Sequence, residues 1–200
     1  MSNIISLEYR GRVALLTIDN DAKLNAMNQD NYYDLAQKLR EIATHDEVFI
    51  TVLVGKGRYF SAGADVSLAD KAPAADDAVA NRKHWLSAFV ANNLNTTEAF
   101  FSHPKILVVG LNGPVIGLTA ALGDSDRFRD LVLAEVDDKL GEHLTGESLT
   151  GIKKLIRAPE REILERQNHK EVFAGLERFV KGVPQQEFAK IASGQKRHKL

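Results

Sequence analysis

Apolar and polar positions follow two different rhythms along this chain, and the rhythm changes just past Gly123. Residues 4–9 and 13–18 are short β-rich runs separated by Arg10, Gly11 and Arg12, which predicts a hairpin. After the polar stretch DNDAKLNAMNQD, Asn28 or Asp30 is placed to cap a helix over residues 31–43, where Tyr33, Leu35, Leu39 and Ile42 recur at helical spacing. Residues 48–54 are almost wholly apolar, as a strand covered on both faces requires. The alanine- and aspartate-rich residues 67–80 predict a mobile segment ahead of a long helix through Trp85, Phe89, Val90 and Leu94 towards Phe101. Pro104 stops that helix, and residues 105–111 supply the next buried strand. Alternating strands and helices predict an α/β fold.

Beyond Gly123 the pattern is helical throughout. Phe128, Leu131, Leu133, Val136 and Leu140 mark one helix, and Leu149, Ile152, Leu155 and Ile156 a second. Residues 163–179 and 183–191 add two more. The chain therefore divides into a strand-bearing part, residues 1–123, and a helical region, residues 124–200, whose apolar stripes must lie on the first part or on another subunit.

Composition narrows the function. With 200 residues, one core and a helical appendage are expected. Twenty-six basic against 27 acidic residues give no basic stripe for nucleic acid. Zero cysteines exclude disulfides, thiolate metal sites and a cysteine nucleophile. The first residues lack the succession of a secretory signal and no apolar run reaches membrane-spanning length, so a soluble intracellular chain is expected. The final residues His198, Lys199 and Leu200 are similar to the tripeptide read by the peroxisomal import receptor, which predicts a peroxisomal matrix location and that receptor as a partner.

Two glycine-bearing turns carry the candidate chemistry: TVLVGKGRYFSAGAD, residues 51–65, and ILVVGLNGPVIGLTAAL, residues 106–122. Each follows an apolar run and precedes a helix start, an arrangement that aims unpaired backbone N–H groups at an anionic oxygen. A matched pair suggests one oxyanion hole built from two loops. A plainer reading makes the AGAD turn a tight connection with Asp65 capping a helix; the second turn weighs against it.

LNAM at residues 24–27, GRYFSAGAD at 57–65, FVANN at 89–93, LNGPVIGLTAAL at 111–122 and the RHKL ending resemble the crotonase, or enoyl-CoA hydratase/isomerase, superfamily. Within it the chain is most similar to the peroxisomal Δ3,Δ2-enoyl-CoA isomerases of fungi. The resemblance implies a spiral of ββα units, a helical C-terminal region used in assembling a homotrimer or dimer of trimers, and binding of an acyl-coenzyme A substrate without metal or redox cofactor. Carried over by motif, the two oxyanion donors fall on the amides of Ala64 and Leu118, with Gly63 and Gly117 allowing close approach of backbone to ligand. Lys23, Leu24, Ala26, Ala62, Asp65 and Val66 would line the coenzyme A passage, with Asn93 and Gly113 as further substrate-binding positions. The implied reaction moves a 3-enoyl double bond to the trans-2 position, in fatty-acid β-oxidation, through a thioester enolate.

The sequence also departs from that pattern. The shuttle glutamate of fungal isomerases lies in a glycine-flanked segment after the second loop, and no such segment is present. Several core elements are missing between Gly123 and Asp124. A genuine short variant, an artificial deletion, or a longer protein whose intervening segment is absent from this sequence would each explain that; undamaged flanks favour the last. Ala121 occupies the position of a hydratase glutamate, which disfavours hydration. Glu135, Glu142 and Glu147 are replacement bases only on paper, since acidic residues interleaved with lysines on helices form solvated faces. The six histidines show no metal-binding spacing, and Gly55, Lys56 and Gly57 lack the Walker pattern. Two alternatives stand beside the leading expectation: a non-catalytic acyl-CoA-binding or assembly subunit without the base, and a dienoyl-CoA isomerase.

Overall fold

A computed structural model describes residues 4–65, 77–115 and 125–196. Strands β1 (Ile5–Arg10), β2 (Val13–Ile18), β3 (Ile50–Gly55) and β4 (Ile106–Gly110) form one sheet in the order β1-β2-β3-β4. The first pair is antiparallel and the other two are parallel, with Leu15 opposite Val52 and Val52 opposite Val108. Gly11, at φ +54°, turns the predicted hairpin.

Helix α1 (Gln29–Ala43) carries β2 over to β3. Asn28 caps it: its side chain accepts from the Asn31 N–H, and the Asn31 side chain accepts from the Asn28 N–H. That reciprocal box selects Asn28 over Asp30 as the cap and starts the helix two residues before the expected 31. Asn28→Ala removes it and is expected to lower the unfolding free energy by about 1 kcal/mol, measurable by urea titration.

The sheet's faces alternate as the pleat demands. On one, Leu16, Ile18 and Leu53 meet Leu35, Leu39 and Ile42 of α1. On the other, Leu15, Val52 and Val54 meet Val136 of α4 (Ser125–Leu140). Burial on both faces explains the unbroken apolar run of β3.

Between β3 and β4 run α2 (Ala78–Trp85), a π-helical stretch (Leu86–Ala91) and α3 (Asn92–Phe101), continuous as expected from the periodicity apart from the wider π turn. Widening frees carbonyls, and side chains take them up: Asn92 and Gln29 donate to the Ala88 oxygen, and Asn93 to that of Phe89. Trp85 and Val90 pack on Val172 and Leu176, with Phe89 and Phe179 alongside, so the aromatic pair Trp85 and Phe89 is core.

The tail differs from the expected two separate helices over residues 149–156 and 163–179: both belong to one 35-residue helix, α5 (Gly146–Val180). Pro159 lies inside it. The hydrogen bond that proline removes would have ended on the Leu155 carbonyl, and Leu155 is 76 % exposed, so water can serve that oxygen and the helix continues. Helix α6 (Val183–Ala192) follows, after Gly182 at φ +72°. Most of the expected mobile stretch 67–80 and the junction of Gly123 with Asp124 lie outside the described residues, although α2 already begins at Ala78, capped by the Asp77 side chain. Among the described residues no helix is long and apolar enough to cross a membrane.

Candidate active site

Three segments converge at one end of the parallel strands: the loop carrying LNAM, the turn after β3 and the turn after β4. The loop is shaped by two consecutive left-handed residues, Leu24 at φ +52° and Asn25 at φ +57°. Asparagine tolerates that region; for leucine it costs about 1–2 kcal/mol, so the surrounding contacts must impose it. Those contacts are visible. The Leu24 carbonyl accepts from Ala62 N–H at 2.8 Å, Met27 N–H donates to the Gly63 oxygen at 3.0 Å, and Asp65 N–H donates to the Met27 oxygen at 2.9 Å.

This ladder fixes the direction of one amide. In a parallel bridge between Met27 and Ala64, the flanking groups of Gly63 and Asp65 face Met27, so the N–H of Ala64 itself points the other way. Among the described residues nothing accepts from it, and Ala64 is exposed. Gly63 supplies the reversal at φ +85°, its N–H held by the Ser61 hydroxyl at 3.0 Å, while that hydroxyl donates to the Asn25 carbonyl at 3.0 Å. An outward, unpaired main-chain donor on a braced turn is the geometry that an accumulating negative charge needs.

The second turn lies against the first. Phe60 N–H donates to the Pro114 oxygen at 3.2 Å, and Ser61 bridges Val115 in parallel. In sequence, Ala64 and Leu118 each stand three residues beyond a member of that bridge. Leu118, Gly117, Val66 and the tail His198, Lys199 and Leu200 lie outside the described residues. Gly113 is buried against the main chain of Arg58.

Of the remaining candidates, Lys23, Leu24, Ala26, Ala62, Gly63 and Asp65 come together, with the Lys23 ammonium 2.8 Å from the Asp65 carboxylate across the mouth. Asp65 is thus tied back to the loop. Asn93 gives its amide N–H to the Phe89 oxygen and remains exposed. Lys56 pairs with Asp19 at 2.7 Å. Glu135 is exposed and helps line an apolar groove of about 400 Å³ between β4 and α4, with Phe128 and Val132. Among the described residues no group of three His, Asp or Glu is placed to hold a metal.

Sequence reasoning placed Asn25 only within the stretch 23–26 lining the coenzyme A passage and passed over Asn112, giving neither a positioning role. Both sit inside quoted motifs, LNAM and LNGPV, both are almost inaccessible, and both hydrogen-bond to the first turn. The available signal was a carboxamide next to an apolar residue at the edge of each motif.

Comparison with known proteins identifies the family. The profile of the enoyl-CoA hydratase/isomerase family matches residues 13–130, more than half of the chain. A Δ(3,5)-Δ(2,4)-dienoyl-CoA isomerase of Pyricularia oryzae is 45 % identical over 280 aligned positions that take in all of both chains. Set against the 200 residues here, that leaves 80 positions at which only the relative has a residue, a shortfall in line with the core elements missed in the sequence. The 3,2-trans-enoyl-CoA isomerase of Saccharomyces cerevisiae is 37 % identical over 120 residues, 59 % of this chain and 43 % of that protein. A crystal structure of an enoyl-CoA hydratase/isomerase from Mycobacterium paratuberculosis superposes with a TM-score of 0.70 at 14 % identity, covering 90 % of this chain and 95 % of the other, which places the fold. The chain belongs to the enoyl-CoA hydratase/isomerase family.

Proposed function

We infer that this chain binds an unsaturated acyl-coenzyme A thioester and shifts its double bonds through an enolate whose oxygen rests on the Ala64 amide, with Leu118 as the second donor. One observation carries the reading: the Ala64 N–H is turned outward by the Met27 bridge, on a turn paired with the second turn at Ser61 and Val115. Removing a C2 proton sends negative charge to the thioester oxygen, and each fixed donor there is worth about 3–4 kcal/mol of barrier. Neither a metal nor a redox cofactor enters such a proton transfer.

Likeness to the Pyricularia protein along the whole chain supports a 3,5-dienoyl-CoA substrate, in which a carboxylate of the intervening segment absent from this sequence takes the C2 proton and returns one at C6 to give the 2,4-diene. The partial likeness to the yeast 3,2-trans-enoyl-CoA isomerase supports the second reading, a 3-enoyl substrate reprotonated at C4. Incubating the full-length protein, with the intervening segment present, separately with a 3,5-dienoyl-CoA and a 3-enoyl-CoA, and following the conjugated product by absorbance, distinguishes them. Formation of 2,4-dienoyl-CoA is the expected result. Turnover of the 3-enoyl thioester alone selects the second reading, and tight binding of both without turnover makes the chain an acyl-CoA carrier that lacks the base.

A further inference from the structure

We propose that Asn25 and Asn112 are paired positioning residues that set the aim of the Ala64 amide by gripping one carbonyl, that of Tyr59. The inference rests on the isomerase reading in one respect, that Ala64 N–H is the donor.

The two carboxamides reach the first turn from different segments. Asn25 Nδ2 donates to the Tyr59 oxygen at 2.7 Å and to the Lys56 oxygen at 2.9 Å, while its Oδ1 accepts from Asn20 N–H at 2.7 Å. Asn112 Nδ2 donates to the Tyr59 oxygen at 3.2 Å and to the Gly57 oxygen at 2.8 Å, while its Oδ1 accepts from Gly55 N–H at 2.9 Å. Each therefore uses both donor hydrogens and its acceptor, at 0 % and 2 % exposure. A carboxamide is the short head group that offers this set: aspartate has no donor and leucine has neither function.

The placement gives the pair its role. Asn25 belongs to the loop whose neighbours Leu24 and Met27 hold Ala62, Gly63 and Asp65, and Asn112 opens the turn that pairs with Phe60 and Ser61. The stretch from Lys56 to Asp65 is thus tied to the loop and to the second turn at once, with the Tyr59 oxygen as the shared knot. Packing leaves no room for drift: a Cβ on Gly55 would stand 2.6 Å from Asn112 Oδ1. Because donors act on the position where charge develops, a small rotation of the turn weakens the carbonyl's polarisation before it weakens binding of the thioester's nucleotide end.

The test uses 2,4-hexadienoyl-CoA, a conjugated thioester whose absorption moves to longer wavelength when its carbonyl is polarised by hydrogen bonding. At saturation the wild-type protein is expected to shift the band. Asn25→Asp and Asn112→Asp, which lose both Nδ2 donors at unchanged size, are expected to lose most of that shift with the dissociation constant within about threefold of wild type. Should either aspartate variant fail to fold, as judged by circular dichroism, Asn112→Ser, which keeps one donor, is expected to give a partial shift. A full wild-type shift in the folded variants at saturation overturns the proposal, since a purely structural role alters melting and affinity but not the bound spectrum. A wild-type protein that binds the ligand with no shift overturns the oxyanion reading itself.

Discussion

Gly113→Ala is expected to pry the two turns apart and to remove about 3 kcal/mol or more of stability. An added Cβ would lie 2.0 Å from the Arg58 carbonyl oxygen and 2.9 Å from the Arg58 carbonyl carbon, with the Tyr59 Cα at 3.3 Å. All three obstacles are main chain, so no rotamer change relieves the clash. Gly113 is buried, and the adjacent Tyr59 carbonyl already holds two carboxamides. Movement must therefore break hydrogen bonds in the site, and loss of acyl-CoA binding should accompany the loss of stability. Guanidinium unfolding of the variant, read beside a ligand titration, checks both effects. A midpoint equal to that of wild type would show that the two turns are not packed this closely.

Acidification from pH 6.5 to pH 4 is expected to cost about 3 kcal/mol through one side chain, His103, whose pKa is pushed down to about 4 in the fold. The imidazole is 3 % exposed, and its Nε2 lies 2.8 Å from the Thr51 hydroxyl inside the sheet. Burial pushes its pKa down from 6.5 to about 4, helped by the positive charges of Lys153 and Lys105. Well above pH 6.5 the ring is neutral in both folded and unfolded chains and contributes no pH dependence. Between 6.5 and 4 the unfolded chain takes up a proton that the folded one refuses, so stability falls as pH falls; below 4 both states carry it. The lowered carboxylates Glu8, Glu47 and Glu187 act below their ordinary value of 4.5, outside the upper part of this window. Unfolding free energies measured at intervals across the range should slope for wild type and flatten for His103→Gln. A flat wild-type profile would place the ring in water.

What the amino-acid order disclosed depended on how local each determinant is. The hairpin, α1, β3 and β4 were legible because alternation and helical spacing are properties of short windows. The merging of the tail segments into α5 was not, since Pro159 is judged in sequence by its intrinsic cost and in the fold by the water available to the Leu155 carbonyl. The π-helical stretch escaped for a similar reason: its freed carbonyls are answered by Gln29, 59 residues away, as well as by Asn92 and Asn93. In the site, the AGAD turn stood out by its glycine and its strand. Asn25 and Asn112 did not, because apart from Asn20 their partners lie 31 to 57 residues away and no local pattern encodes such pairing.

Helix α5, about 50 Å long at 1.5 Å per residue, works as a strut with a fixing at each end. Near its start Lys153 is bolted to the carbonyls of His103 and Lys105 at the root of β4, and near its finish Val172 and Leu176 are wedged against Trp85 and Val90. The span between carries Leu155, Ile156 and Ile163 exposed. One helix thereby ties the base of the strand that feeds the second turn to the aromatic layer around the π turn.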